Sequence, residues 1–279
     1  SIRELTFKRV DAGAFPFFRA AQYVSIQAKI GDSLVSRPYS IVSTPRQALN
    51  GQLVLAVENA GFVSGYLTGQ AKPGDRFVMT EPSGEFHYET LRDSRNIVCI
   101  AGGSGITPFL SMAGSLAEGD EEYCMTLFYG ARTAAQLAYK AELDALAARC
   151  GKLKVVYVLS DEEQPGCEKG FVSAALMERY TSLEGSTFFL CGPQAMYEFV
   201  EKELAPLGLP QKAVHRDAGC CGDLPLERPG EYKLTVHMRD EVFEIPAKEN
   251  ETLLTAMERA GLNAPNKCRA GGCGFCHSK

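Results

Sequence analysis

The sequence predicts a multidomain α+β and α/β chain: an antiparallel β-barrel, a parallel-sheet α/β domain, and a small module that closes the sequence. Three observations predict it. The opening stretch consists of short β-rich runs broken by Gly, Pro, Asn and Asp, the signature of tight turns between strands. From Asn96 onward, strand-like and helix-like runs alternate, the pattern of βαβ units. The last part reads as a hairpin, a helix and then a tight group of cysteines.

Composition sets the bounds. The chain has 279 residues, comfortable for two or three domains, with 45% apolar and 23% charged residues, an ordinary globular balance. A net charge of -5 points away from nucleic acid and from anionic membranes. No apolar run reaches the length of a membrane span, and the first residues lack the layout of a signal peptide. The expectation is a cytoplasmic protein without membrane insertion. Ten cysteines in a chain this long do not make a disulfide scaffold. Cys99, Cys124, Cys150 and Cys191 lie singly in or beside apolar segments, where a thiol behaves as a small hydrophobe. Adjacent Cys220 and Cys221 would close a strained ring and read as plain linker thiols.

The elements follow in order. Tyr23–Ile30, Arg37–Ser43, Gln52–Glu58 and Arg76–Thr80 read as barrel strands within residues 1–92. Residues 93–217 form the α/β domain. Asn96–Ala101 is a strand ending in glycines, and Pro108 opens a helix through Leu116. Strands at Cys124–Tyr129, Lys154–Leu159 and Thr187–Leu190 then alternate with helices at Ala134–Ala148, Phe171–Tyr180 and Gln194–Leu204. Residues 218–229 are a turn-rich linker. In 230–279, Tyr232–Met238 and Val242–Ile245 make a hairpin and Leu253–Ala260 a helix.

Four motifs carry chemistry. Cys268-Arg-Ala-Gly-Gly-Cys273-Gly-Phe-Cys276 has the C-x4-C-x2-C spacing of plant-type [2Fe–2S] proteins, with glycines that let the backbone wrap closely round a small cluster. A zinc site made by these cysteines with His277 is the alternative, but adjacent Cys276 and His277 fit one tetrahedral ion poorly. Arg37-Pro38-Tyr39-Ser40 joins a guanidinium suited to phosphate with a ring and a hydroxyl. Alone it would read as a strand start; Gly61-Phe-Val63-Ser64, a turn offering N–H groups to a pyrophosphate at a helix start, and Pro82-Ser-Gly-Glu-Phe86 give it weight. Gly102-Gly103-Ser-Gly105-Ile106-Thr107-Pro108 is a glycine turn between strand and helix, where a dinucleotide pyrophosphate comes close to the backbone. Cys191-Gly192-Pro193 follows another strand of the same expected sheet, and open α/β sheets bind ligands at such strand ends.

Together these segments resemble the ferredoxin–NADP reductase superfamily over nearly the whole chain. The arrangement is that of the flavin-first, iron–sulfur-last reductases of the phthalate dioxygenase and phenylacetate-oxygenase kinds. The resemblance implies a flavin-binding barrel, an NAD(P)-binding domain and a partial β-grasp ferredoxin domain. It assigns Arg37, Pro38, Tyr39, Ser40, Gly61, Val63 and Ser64 to the flavin, with Ser40 at the atom that receives hydride. FAD is the first choice and FMN the second. Gly102, Gly103, Gly105, Ile106, Thr107, Pro108, Arg132, Cys191, Gly192 and Pro193 go to the nicotinamide nucleotide, with Cys191 beside the ring. Asp217, in Val214-His215-Arg216-Asp217, takes the place of the family's acidic residue near the flavin, with a shorter side chain than the usual Glu. Ser40, Cys191 and Asp217 are thus the expected catalytic groups. Cys268, Cys273 and Cys276 are the expected cluster ligands; the family's fourth cysteine comes further on, so the chain is expected to continue past Lys279, and also to lack a first strand. His87 is expected at the surface.

NADPH-using relatives tend to carry Ser-Arg after the strand matching Val155–Leu159, where this sequence has Ser160-Asp161-Glu162-Glu163. A carboxylate accepts from a ribose 2′-hydroxyl and repels a 2′-phosphate, so Asp161 favours NADH over NADPH. The implied activity is hydride transfer from NADH to flavin, then delivery of single electrons through the cluster to an external protein such as an oxygenase. The alternatives are a relay subunit of a larger redox complex and an NADH–flavin reductase with a structural zinc tail.

Overall fold

The structure, a computed structural model, describes residues 2–30, 33–217, 231–248, 252–262 and 264–266. In chain order its elements begin with β1 (Ile2–Phe7), β2 (Tyr23–Ile30), β3 (Ser33–Ser40), α1 (Pro45–Leu49), β4 (Leu53–Glu58), α2 (Phe62–Gly69) and β5 (Val78–Met79). Next come β6 (Asn96–Gly102), α3 (Thr107–Ala117), β7 (Cys124–Ala131), α4 (Lys140–Arg149), β8 (Leu153–Leu159) and β9 (Cys167–Lys169). Then follow α5 (Ala174–Glu178), β10 (Thr187–Cys191), α6 (Gln194–Leu204), β11 (Val214–Arg216), β12 (Glu231–Met238), β13 (Glu241–Lys248) and α7 (Leu253–Arg259). Packing divides the chain into two units, one of Ser1–Val24, Tyr39–Glu58 and Glu81–Asp217, the other of Ser25–Pro38, Asn59–Thr80 and Ala218–Lys279.

The first unit is built on a parallel sheet in the order β11-β10-β6-β7-β8-β9. Its central strands are apolar along their whole length because both faces are covered. In β6 the side chains alternate: Ile97, Cys99 and Ala101 join a core with Phe109 and Leu110 of α3 and Leu143 and Leu146 of α4. Val98 and Ile100 face the other way, into a core with Leu176 and Met177 of α5 and Tyr197 and Val200 of α6. Strands β6, β7, β8 and β9 advance to one side; β10 then returns to pair with β6 on the other. That reversal opens a crevice beyond the ends of β6 and β10. In the same unit β1 and β4 pair antiparallel from Ile2↔Glu58 to Phe7↔Leu53. Helix α1 carries a reciprocal cap between Thr44 and Gln47, and it meets α3 closely: a Cβ on Gly114 would lie 2.6 Å from Thr44 Cγ2. Ser111 Oγ donates to the Ser43 carbonyl at 2.8 Å.

Four expected elements differ, the strand expected over Arg76–Thr80 shrinking to the two residues of β5. The strand expected over Arg37–Ser43 ends at Ser40, because Ile41 N–H turns to the Gln22 carbonyl and Val42 N–H to Val54. The helix expected over Ala134–Ala148 is a short 3₁₀ turn, Ala134–Gln136, followed by α4. Tyr139, at φ 60°, separates them in the left-handed region. The helix expected over Phe171–Tyr180 shrinks to α5, which Ser173 caps by accepting from Leu176 N–H, while Gly170 at φ 110° turns the chain before it. Of the lone cysteines, Cys99 is buried and Cys150 half-buried, whereas Cys124 is exposed.

The second unit holds an antiparallel sheet, β3-β2-β5, and the hairpin β12–β13. The hairpin pairs Met238 with Glu241 across a two-residue turn in which Arg239 takes φ 57°. Ile245 and Ala247 of β13 pack with Ala256 of α7 and Leu262, and Thr252 caps α7 through Thr255 N–H. Linker residues 218–229, including Cys220 and Cys221, and the cysteines Cys268, Cys273 and Cys276 lie outside the described residues. Among the described residues no helix is long and apolar enough to cross a membrane.

Candidate nucleotide and electron-transfer site

Two sequence-distant motifs meet in the crevice between β6 and β10. Gly102 ends β6, Gly103–Ile106 form a 3₁₀ turn, and α3 follows with Pro108 in its first turn. Cys191 ends β10 on the neighbouring strand, where it pairs with Ala101. The approach is so close that a Cβ on Gly105 would lie 2.1 Å from the Cys191 carbonyl oxygen. On Gly102 a Cβ would lie 2.9 Å from both Pro193 Cδ and Met196 Sδ. Only glycine leaves this backbone bare enough for a phosphate to reach it. Gly103 adopts φ 57°, and its carbonyl accepts from the Tyr129 hydroxyl at 3.1 Å. The same hydroxyl accepts from Ala138 N–H at 3.2 Å, and burial pushes this phenol up to about 12. Tyr129 therefore ties the glycine turn to the segment before α4. The sequence singled out Arg132, just past the end of this strand, and not Tyr129. Ile106, Thr107 and Pro108 are buried at the start of α3; they hold the turn rather than face its opening.

Beyond the turn lies a cavity of about 1170 Å³ lined by Gly102, Gly103, Arg132, Ser160, Pro193 and Phe171 among others. Typical small-ligand pockets run to about 300–1,000 Å³, so there is room for an extended dinucleotide. The glycine cradle and this volume fit a nicotinamide nucleotide. Phe171, assigned by periodicity to a helix, stands 68% exposed on the cavity wall. Its ring lies 5.6 Å from that of Phe199 at 47°. Asp161 does not stand alone: Arg132 Nε donates to it at 2.9 Å and the Ser160 hydroxyl at 2.6 Å. These two partners, the Ser160 bond first, hold its carboxyl below the usual carboxylate range. Glu162 accepts from Ala134 N–H at 2.5 Å.

Cys191 and Asp217 come together. Cys191 Sγ lies 3.4 Å from Asp217 Oδ2, with the thiol donating. Asp217 N–H continues the sheet ladder to the Leu190 carbonyl, and Tyr197 donates its hydroxyl to the Asp217 carbonyl at 3.2 Å. Burial pushes the Asp217 carboxyl up, against the Cys191 bond that lowers it. A buried carboxylate that accepts from a thiol holds that thiol in place at the end of β10.

The flavin-assigned residues occupy two places. Tyr39 and Ser40 end β3 in the first unit; Arg37 and Pro38 precede them on the same strand, in the second unit. Arg37 donates to the Ser36 carbonyl at 2.8 Å and to Thr255 Oγ1 at 3.1 Å. Gly61 stands at the head of α2 without a side-chain cap, so the first-turn N–H groups have no side chain closing them off. Val63 is buried beneath that turn. Ser64 Oγ accepts from Ala60 N–H at 3.0 Å and donates to the Gly61 carbonyl at 3.2 Å. An uncapped helix start beside a hydroxyl fits a flavin phosphate. His87, expected at the surface, is instead buried, with Nδ1 3.0 Å from the Gly84 carbonyl. Burial lowers its affinity for a proton. No group of three or more metal-ligating side chains occurs among the described residues. The three closely spaced thiols of Cys268, Cys273 and Cys276 make a soft donor set suited to iron–sulfur ligation.

Known proteins place the chain. An oxidoreductase FAD-binding domain profile matches residues 4–88, an oxidoreductase NAD-binding domain profile residues 99–202, and a 2Fe-2S iron-sulfur cluster binding domain profile residues 236–279. Ferredoxin–NADP reductase B of Sorangium cellulosum (strain So ce56) is 33% identical over 224 residues, which cover 77% of this chain and 90% of that protein. The chain belongs to the ferredoxin–NADP reductase family. Within that family, it is similar to the reductase component of the carnitine monooxygenase of Escherichia coli (strain K12), at 26% identity over 99% of this chain and 81% of that one. The solved structure of phthalate dioxygenase reductase shares the fold, with a TM-score of 0.78, 23% identity, and coverage of 99% of this chain and 80% of that chain. This ferredoxin–NADP reductase family member is an NAD(P)H-dependent flavoprotein oxidoreductase that uses FAD, a nicotinamide nucleotide and a [2Fe–2S] centre.

Proposed function

We propose that this reductase takes reducing equivalents from NADH and delivers single electrons to a separate protein acceptor of the oxygenase type. The observation that carries the reading is the meeting of Gly105 with Cys191 at the sheet's switch point, with Asp217 beside that thiol, in a chain that also carries flavin and iron–sulfur domains. Backbone N–H groups at Gly103–Gly105 would hold the pyrophosphate, Cys191, Gly192 and Pro193 would position the nicotinamide, and Ser40 would orient the flavin for hydride transfer. Asp217 accepts from the Cys191 thiol and so holds it in place. Arg132 and Asp161 bound the adenosine ribose, with Asp161 excluding a 2′-phosphate. Arg37, Pro38, Tyr39, Gly61, Val63 and Ser64 seat the flavin, and Cys268, Cys273 and Cys276 ligate the cluster. When bound, the flavin supplies the conversion from two-electron to one-electron chemistry, while the protein supplies orientation and electrostatics.

The domain limits that accompany this reading are 1–92 for flavin, 93–217 for nucleotide, 218–229 for the linker and 230–279 for the iron–sulfur domain. A cytoplasmic location goes with it, since thiolate ligands and free thiols such as Cys99 suit a reducing compartment. The test is an anaerobic titration with NADH followed by visible absorption. Bleaching of the flavin bands together with the broader iron–sulfur absorbance, the latter lost in Cys276→Ser, is the expected result. Flavin bleaching without any iron–sulfur contribution would remove the one-electron outlet and leave an NADH–flavin reductase.

A further inference from the structure

We propose that Asp93 and His215 form a buried clip that positions Asp217 against Cys191, making them positioning residues for hydride transfer. The inference rests on the reading of Cys191 and Asp217 as neighbours of the nicotinamide ring. It starts from a weakness in the fold. Asp217 hangs from β11, an edge strand of three residues paired with β10 through Phe188↔Val214, Phe189↔His215 and Leu190↔Arg216. So short an edge strand is poorly held by its own ladder, yet catalysis needs its terminal carboxyl placed to a fraction of an ångström.

The missing restraint comes from the segment that joins β5 to β6. The Asp93 side chain is 0% exposed. It accepts from Arg92 Nε at 3.0 Å, Arg92 Nη2 at 2.8 Å and Glu89 N–H at 2.8 Å. Its remaining partner is His215, whose Nε2 donates to Asp93 Oδ1 at 2.8 Å. The imidazole lies over the Phe189 ring, with centroids 4.7 Å apart at 31°. Phe189 in turn meets Phe86 edge-on at 5.4 Å. His215 is thus clamped between an apolar ring on β10 and a carboxylate from the connecting segment. Arg92 also faces it from that segment; on its own strand Arg216 turns away to pair with Glu201, and Asp217 comes next. With the strand locked at His215, Asp217 N–H reaches Leu190 and its carboxyl reaches Cys191. Burial lowers the affinity of His215 for a proton, against the opposing pull of Asp93, and Nε2 is committed to the carboxylate.

The test uses the flavin- and cluster-loaded protein and two variants. His215→Phe keeps the stack on Phe189 and removes the hydrogen bond to Asp93. His215→Gln keeps an N–H donor at nearly the same reach. Each is measured for alkylation of Cys191 by iodoacetamide without nucleotide, read by peptide mass spectrometry, and for single-turnover flavin reduction by NADH. In His215→Phe, Cys191 should alkylate at least about fivefold faster as Asp217 leaves the thiol, and flavin reduction should slow about tenfold with the NADH KM within about twofold. His215→Gln should stay within about twofold of the parent on each measurement. Parental alkylation in His215→Phe overturns the clip, whatever happens to its melting temperature. Equal losses in both variants overturn it too, since they would show a structural role for the ring alone. Asp217→Asn separates this from the underlying reading: if that variant reduces flavin at the parental rate, Asp217 has no part in hydride transfer, whereas the alkylation result still decides whether the clip exists.

Discussion

Replacing Gly105 with alanine should cut flavin reduction by NADH about hundredfold while leaving flavin content unchanged. The added Cβ would sit 2.1 Å from the Cys191 carbonyl oxygen, 2.5 Å from its carbonyl carbon and 2.8 Å from Gly192 N. Cβ contacts essentially never fall below 3.0 Å, so the turn and the end of β10 must part by at least 3.0 − 2.1 = 0.9 Å. All three atoms are backbone, so no rotamer change relieves the clash. Overpacking of this kind costs about 1–3 kcal/mol in stability. A displacement near 1 Å between reacting groups costs about 10²-fold in rate, and the displaced residue is the one proposed to set the nicotinamide plane. The assay is anaerobic stopped-flow with NADH, following loss of flavin absorbance. Gly151→Ala, at an open position without positive φ, is the inert control. Gly103→Ala should fall between them, since its φ of 57° strains a side chain by about 1–2 kcal/mol while no atom lies within 4 Å. A Gly105→Ala protein that reduces flavin within about threefold of the parent would refute the reasoning, because the crevice would then tolerate the separation.

Asp217→Asn should slow hydride transfer yet stabilise the fold at pH 8. The folded carboxyl is raised above its ordinary value by burial, so its stabilising contribution is present in acid and lost as pH rises through the folded value; urea midpoints at pH 8 and pH 4 should show an advantage for Asn only at pH 8. Asp161→Ala should lower the NADH-to-NADPH ratio of kcat/KM at least about tenfold, roughly 1.4 kcal/mol, by removing the repelling carboxylate and releasing Arg132 from its 2.9 Å bond; steady-state kinetics with both nucleotides checks it. Tyr129→Phe should lose about 1 kcal/mol of stability and raise the NADH KM, because the Gly103 carbonyl and Ala138 N–H both lose the hydroxyl that joins them; a parental KM would mean the glycine turn holds its shape unaided.

What the sequence made legible was chemistry written locally. The glycine turn at 102–105 and Cys191-Gly192-Pro193 can be read because each lies within a few residues at a strand end, and the alternation of strands and helices places both on one edge of a sheet. Where distant groups compete with local preference, the reading failed. Ala134–Ala148 has the composition of a helix, yet the Tyr129 hydroxyl takes Ala138 N–H and Tyr139 turns left-handed, so the helix starts only at Lys140. Phe171 looked like the start of a helix; Gly170 and the Ser173 cap instead leave it on the cavity wall. Asp161 stood out in the acidic run Asp161-Glu162-Glu163, and no spacing rule announces that Arg132, just past the end of β7, pairs with it. The Asp93–His215 pair joins residues 122 positions apart, and although Val214-His215-Arg216-Asp217 can be read as a motif, nothing local announces Asp93 as its partner.

The return of β10 to the side of β6 has a consequence for assembly. Ala101 and Cys191 become neighbours only when the chain between them has folded and closed back on the sheet. Pairings this remote in sequence form slowly, because the loop must be ordered before the contact rewards it. The glycine turn and the thiol that lies against it therefore meet only after β10 has been added to the sheet. During synthesis a chain that has not yet delivered β10 has the glycine turn without the strand end that the proposed nicotinamide site needs.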